Sequence, residues 1–317
     1  MWKKEQSGIL LGEERSVDED LKIVKLAENL GYDSVWFGEH VGIRDALVLM
    51  GMASMLTERL KVGSCAINAY TRNVGTVAAA LNTISFVAPG RVMLGVASGE
   101  EILSNYGIKK ASPVNEMREF ITSLRLLLSG ELVNFNGKFI NLKNARIERK
   151  LEVPVYLAAT GKKMLSLGAE IADGVILNFL TDLSYLEEAH RIIGDKRSFQ
   201  LIAVSLNRDG STSDAKRFMA KFFYMAPSLF RSSVSHETIE RIRSLIKGWP
   251  PSNEELEIAE KVVPDEVLSR LMAVGSANEV EEYISKVALK WGSYPIFYIV
   301  SKDYEYAMKK LKNAITI

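Results

Sequence analysis

Residues 153–178 read VPVYLAATGKKMLSLGAEIADGVILN and contain an apolar run, a glycine, a helical stretch and a second apolar run. The runs at 153–158 and 174–178 have the length and the continuous apolar character of buried parallel strands. The stretch between them is long enough for the helix that connects two parallel strands. This segment therefore predicts one strand–helix–strand unit of a parallel sheet.

The same alternation continues along the chain on both sides of this segment. Short apolar runs predict eight strands, at residues 7–11, 34–38, 60–67, 91–97, 153–158, 174–178, 199–206 and 295–300. Eight parallel strands that alternate with helices close into a (β/α)8 TIM barrel, and an open, doubly wound sheet is the alternative. The chain of 317 residues has the length of one barrel with insertions, so we expect a single domain over residues 1–317.

Two segments are longer than this alternation requires. Residues 131–142, after the fourth helix, predict a β-hairpin in which Asn136 and Gly137 form a two-residue turn. Residues 209–275 predict a helical insertion between strands seven and eight, with a break at the Gly-Trp-Pro-Pro-Ser run of residues 248–252.

The composition argues against several classes of function. The formal net charge of +1 gives no electrostatic basis for binding nucleic acid or an anionic membrane. The single cysteine, Cys65, allows no disulfide within the chain and no cysteine-paired metal site. The sequence lacks an apolar stretch suited to a signal peptide or a membrane span. We therefore expect a cytoplasmic protein that acts on a small molecule and uses no metal.

In barrels of this kind the chemistry lies at the carboxyl ends of the strands. His40 follows strand two, where a histidine can bind substrate, transfer a proton or make a purely structural hydrogen bond. Asn68 and Arg72 follow strand three and can hold polar parts of a ligand. Cys65 lies in an apolar strand, which favours an inert core thiol over a nucleophile.

The segment after strand five predicts an anion site. Lys162 and Lys163 stand in the first turn of a helix, where positive charge opposes the helix dipole, and a bound anion would remove that penalty. Gly161 lets the backbone approach a ligand closely, and the first amides of a helix are free to bind phosphate. Glu100 follows strand four, and its position alone favours an acid at a helix N-terminus, where negative charge is stabilised by the helix dipole.

Several segments resemble the luciferase-like superfamily of flavin and deazaflavin enzymes. They are GYDSVWFGEH at 31–40, AINAYTRN at 66–73, PGRVMLGVASGE at 89–100 and the segment from 153 to 175. The segments at 66–73 and 89–100 are most similar to the methylenetetrahydromethanopterin reductases that use coenzyme F420. The resemblance covers nearly the whole chain, and the segments occur in the family's order.

The resemblance implies hydride transfer between F420 and an organic substrate, which in the nearest branch is a methylenetetrahydromethanopterin-like pterin. It implies roles for eight residues: His40 and Glu100 in catalysis, Cys65 and Ala66 behind the cofactor ring, and Ala159, Thr160, Gly161 and Lys162 at the cofactor phosphate. Asn68 is expected to bind the cofactor as well, from its position after strand three. The resemblance also implies a non-prolyl cis peptide bond between Cys65 and Ala66. The tryptophan that F420-dependent alcohol and sugar-phosphate dehydrogenases carry after the strand-two histidine is replaced by VGIRD at 41–45, which argues against those two activities.

Two other functions remain open alternatives. One is an FMN-dependent monooxygenase, which would need a flavin reductase as a partner, and the other is a barrel that binds flavin or deazaflavin without catalysis. The resemblance also implies a homodimer or larger homo-oligomer that pairs through early barrel helices. Residues 46–56, ALVLMGMASML, are apolar on nearly every side, which is more than one buried face requires.

Overall fold

The computed structural model describes residues 6–99, 101–179, 181–230 and 233–314. Its centre is a closed barrel of parallel strands: β1 (Gly8–Leu11), β2 (Ser34–Phe37), β3 (Lys61–Ser64), β4 (Val92–Ala97), β5 (Val155–Ala159), β6 (Gly174–Leu177), β7 (Ser198–Ser205) and β8 (Tyr294–Ile299). Each strand pairs in parallel with the next, and β8 pairs with β1 to close the ring. The predicted (β/α)8 barrel is confirmed, and all eight predicted strands are present.

The barrel interior is closed at its lower end by large aromatic side chains. The ring centroid of Phe199 lies 5.4 Å from that of Trp36 and 4.5 Å from that of Tyr156, and all three side chains are buried. Gly63 makes room for this layer, because a Cβ there would lie 2.5 Å from the Trp36 ring. In barrels of this kind the ligand site lies at the opposite end, where the strands finish.

Helices surround the barrel and also form the insertion. They are α1 (Val17–Asn29), α2 (Ala46–Leu56), α3 (Val74–Val87), α4 (Pro113–Leu128), α5 (Lys162–Ile171), α6 (Leu183–Ile193), α7 (Ser213–Met225), α8 (His236–Leu245), α9 (Asn253–Ala259), α10 (Asp265–Leu271), α11 (Ala277–Val287) and α12 (Tyr304–Ala314). Ser16 and Ser276 cap α1 and α11 through full capping boxes with Glu19 and Glu279. Within the described ranges, no helix has both the length and the apolar character needed to cross a membrane.

The predicted helical insertion is confirmed and consists of α7 to α10. Its first helix packs over the barrel through aromatic contacts. The Phe222 ring lies 5.2 Å from that of Phe179, and the Phe218 ring lies 5.1 Å from that of Tyr298 on β8. These contacts hold α7 across the carboxyl ends of the strands.

The predicted hairpin is present, but its turn was assigned wrongly. The two strands, Val133–Asn136 and Asn141–Ala145, pair in antiparallel fashion around a four-residue loop rather than a two-residue turn. The carboxylate of Glu119 on α4 accepts hydrogen bonds of 2.8–2.9 Å from the amides of Lys138, Phe139 and Ile140. A side chain distant in sequence therefore stabilises the longer loop, which local turn preferences do not reveal.

Candidate active site

The carboxyl ends of the strands and helix α7 enclose a cavity of about 810 Å³, counting its open mouth. Side chains from the barrel line it, including those of His40, Cys65, Ala66 and Asn68. Lys221, Phe218 and Phe222 from α7 line the opposite side. Four of the predicted site residues thus come together, and the insertion contributes to the same cavity.

A chain of charged side chains crosses one side of this cavity. Nδ1 of His40 lies 2.8 Å from one carboxylate oxygen of Glu13, and Nζ of Lys221 lies 2.6 Å from the other. Nζ of Lys221 also lies 2.7 Å from the carboxylate of Glu14, which accepts a hydrogen bond from the Tyr298 hydroxyl. Glu13 therefore contacts a histidine from the barrel rim and a lysine from the insertion at the same time.

Burial makes these contacts electrostatically strong. Only 7% of the Glu13 side chain is exposed, and 12% of that of Lys221. Burial alone would raise the pKa of Glu13, but the charges and hydrogen bonds of His40 and Lys221 hold it well below its usual range. Burial alone would lower the pKa of Lys221, but Glu14 and Glu13 raise it to about 12. Glu13 and Lys221 are therefore both charged at neutral pH.

The third strand differs from its predicted extent of 60–67. Regular pairing stops at Ser64, and only Ile67–Asn68 pairs again with β4. The peptide bond between Cys65 and Ala66 is cis, as predicted. Burial raises the pKa of the Cys65 thiol to about 12, which agrees with an inert thiol rather than a nucleophile.

Arg72, which the sequence suggested could hold polar parts of a ligand, pairs with two carboxylates of the protein. Its Nε lies 2.9 Å from a carboxylate oxygen of Glu39, and its guanidinium lies 2.8 Å from the carboxylate of Asp45. Glu39 is nearly buried and needs a cationic partner, which explains the pairing. Asn68 does line the cavity, and its backbone N–H donates a hydrogen bond of 3.0 Å to the Glu39 carboxylate.

The predicted anion site lies at the start of α5. Gly161 is the residue before the helix, and its carbonyl accepts hydrogen bonds of 2.9 Å from the amides of Met164 and Leu165. The amides of Lys162 and Lys163 precede these in the first turn, where helix geometry leaves them without an intrahelical acceptor. A groove lined by Ala159, Thr160, Gly161 and Lys162 passes over this turn.

The side chain of Lys162 forms an ion pair with the neighbouring helix. Its Nζ lies 2.7 Å from the carboxylate of Glu188 on α6. This ion pair already compensates part of the unfavourable interaction between the lysine and the helix dipole. The backbone amide of Lys162 has no intrahelical acceptor and can bind an anion, while the ion pair with Glu188 offsets part of the positive charge from which the anion site was predicted.

The predicted site residues and those that the structure brings together differ in five cases. Glu100, predicted as catalytic, lies outside the described residues. Glu13, Glu14, Tyr298 and Lys221 were not predicted as site residues. Glu13 and Glu14 directly follow β1 and could have been found by the rule that located His40, whereas Lys221 lies within an insertion helix and carries no local signal.

The chain matches the family described as luciferase-like monooxygenase over residues 2–289. It is 36% identical over 156 residues to a 5,10-methylenetetrahydromethanopterin reductase of Methanolobus tindarius, covering 49% of this chain and 48% of that relative. It is 26% identical over 281 residues to the enzyme of the same name from Archaeoglobus fulgidus, covering 84% of each chain.

A solved structure has the same fold over its whole length. The coenzyme F420-dependent tetrahydromethanopterin reductase from Methanopyrus kandleri superposes with a TM-score of 0.85 over 98% of each chain, at 20% identity. At that identity the likeness concerns the fold alone, whereas the family match extends over most of the sequence. The chain belongs to the luciferase-like monooxygenase family.

Proposed function

We propose that the chain is an F420-dependent oxidoreductase, which transfers a hydride between the deazaflavin and an organic substrate. The first candidate substrate is a pterin of the methylenetetrahydromethanopterin type. The relatives from Methanolobus tindarius and Archaeoglobus fulgidus, both named 5,10-methylenetetrahydromethanopterin reductases, support this proposal.

One observation carries the proposal: the cavity adjoins a groove that leads to the start of α5. Four residues line both spaces, namely Ala97, Gly99, Ala158 and Asn178. Three of the four have a minimal side chain or none, so a flat group can lie against the backbone. The site therefore suits an elongated ligand with a ring in the cavity and a phosphate near Gly161.

The residues present fit F420 at both ends of this path. Gly161 has open space beside it, because a Cβ there would meet no atom within 4 Å. Ala66 lies at the cavity wall, directly after the cis peptide bond. We propose that Ala159, Thr160, Gly161 and the Lys162 amide hold the phosphate.

When bound, the deazaflavin supplies the carbon that accepts or donates a hydride. The protein's part is to orient the reactants and to control protons. Nδ1 of His40 lies 2.8 Å from the Glu13 carboxylate, a contact that orients the His40 ring. We propose that His40 exchanges a proton with the substrate, and that Phe218 and Phe222 keep water out of the cavity.

Equilibrium binding tests this function. The apoprotein is titrated with F420 and, in parallel, with FMN, and binding is followed by the quenching of cofactor fluorescence. We expect tight binding of F420 and much weaker binding of FMN. Preferential binding of FMN would refute the proposal and favour a monooxygenase, whereas F420 binding without turnover of any candidate substrate would indicate a non-catalytic barrel.

A further inference from the structure

Helix α7 of the insertion carries three cations, and only one of them reaches the barrel. Lys216 pairs with Asp265, and Arg217 pairs with Glu257 and Glu260, so both bind carboxylates within the insertion. Lys221 instead pairs with Glu13 and Glu14, which follow strand β1. These two ion pairs link the insertion to the charged side of the reaction cavity.

Lys221 and His40 share one carboxylate. Glu13 contacts His40 through one oxygen and Lys221 through the other, at 2.8 and 2.6 Å. Without the lysine, two neighbouring carboxylates, Glu13 and Glu14, would stand in a mostly buried place with too little positive charge between them. A nearby cation also disfavours the protonated form of a histidine, so Lys221 opposes the effect of Glu13 on His40.

We propose that Lys221 is a positioning residue, which the insertion supplies to balance the charge of Glu13 and Glu14 and so to set the pH at which His40 exchanges its proton. The proposal rests on the proposed function for the catalytic use of His40. It does not depend on which cofactor or substrate is bound, because every contact in it is made by the protein itself.

Other groups also lie near His40. Arg44 bonds to it through the backbone, and the Arg44 guanidinium donates to the Arg15 carbonyl. Glu39, the residue before His40, is paired with Arg72. From the insertion, the uncharged Trp249 ring lies 6.3 Å from the His40 ring. The Tyr298 hydroxyl donates to Glu14, and its pKa is raised well above the usual value by burial and by the two glutamates, so it stays neutral. Glu13 contacts His40 directly, and Lys221 contacts the same carboxylate from its other side.

The titration of His40 in the free protein tests the proposal. The chain has three histidines, so the imidazole signals in an NMR titration are few, and a His40→Ala variant assigns the one of interest. In Lys221→Met we expect the pKa of His40 to rise by about one unit relative to the wild type. Lys221→Arg restores the positive charge and should return the titration close to the wild-type value.

Lys216→Met is the matched control, because it removes a lysine from the same helix that has an ion pair of 2.8 Å with Asp265. It should leave the His40 titration unchanged. Lys221→Gln replaces Lys221→Met if the latter does not fold, and the same upward shift is expected. An unchanged His40 titration in a folded Lys221 variant would overturn the proposal, as would an equal shift in Lys216→Met.

Turnover gives a second readout that separates this proposal from the proposed function. If F420 supports turnover, the limb of the pH profile that belongs to His40 should move upward in Lys221→Met and not in Lys216→Met. A pH profile that does not move would overturn the positioning role. If no turnover with F420 is found but the NMR shift occurs, the proposed function fails while the control of His40 by Lys221 stands.

Discussion

Replacing Gly161 with leucine tests the anion site without disturbing the free protein. Gly161 has φ −78° and ψ 146°, an extended conformation that any residue adopts. A Cβ there would meet no atom within 4 Å, so the larger side chain enters open space. The same space lies over the first turn of α5, where we place the cofactor phosphate. The substitution should therefore exclude the ligand rather than unfold the chain.

The size of the effect follows from the bonds that are lost. A phosphate at this turn accepts hydrogen bonds from the amides of Lys162 and Lys163. A hydrogen bond to a charged group contributes about 1.5–3 kcal/mol, so the loss of two costs about 3–6 kcal/mol. Since 1.4 kcal/mol corresponds to a factor of ten, the affinity for F420 should fall at least about 100-fold.

The assay is a fluorescence titration with F420, accompanied by thermal unfolding. Gly248→Leu is the matched control, because Gly248 lies in the loop between α8 and α9 and a Cβ there also meets no atom within 4 Å. The control should bind F420 like the wild type, and both variants should unfold at the wild-type temperature. An unchanged affinity in a folded Gly161→Leu protein would refute the anion site.

Three further predictions concern catalysis, assembly and stability. His40→Ala should lower turnover about 10²- to 10⁴-fold at an unchanged unfolding temperature, and full turnover in the variant would exclude His40 from the reaction. Val48 and Met55 of α2 are 59% and 71% exposed, an apolar surface that a partner subunit would cover. The chain should therefore sediment as a dimer at micromolar concentration, and Met55→Glu as a monomer. A monomeric wild type would contradict this. Burial raises the pKa of Asp20 to about 7 in the folded protein. The folded state therefore holds this proton more tightly than the unfolded state, and the stability that this gives at low pH is lost as the pH rises through about 7. The free energy of unfolding of the wild type should fall by up to about 4 kcal/mol over this pH range, and this fall should be absent in Asp20→Asn. Urea unfolding measures it, and equal pH dependence in both proteins would contradict the prediction.

The sequence predicted the barrel well because its strands are short apolar runs between amphipathic helices. Such a pattern depends on local periodicity, which a buried parallel sheet imposes on each strand. The residues after strands two, three and five were found by the same logic, which placed His40, Asn68 and Gly161 correctly at the barrel mouth. The cis bond between Cys65 and Ala66 was predicted by resemblance alone.

What the sequence did not reveal depends on contacts between distant residues. Arg72 follows a strand as a ligand-binding residue would, but Glu39 and Asp45 bind it, and no local pattern shows that. Lys221 reaches Glu13 across more than 200 positions of the chain, because the insertion folds back over the barrel. Side-chain pairing of this kind is decided by the tertiary structure.

The most direct test of the proposed function is hydride transfer itself. Reduced F420 is mixed with the enzyme and a methylenetetrahydromethanopterin-type substrate without oxygen, and the visible absorbance of the oxidised deazaflavin is followed over time. We predict that this absorbance returns over many turnovers in the wild type and only slowly in His40→Ala. A failure of the wild type to oxidise reduced F420, together with oxygen-dependent turnover of reduced FMN, would contradict the account.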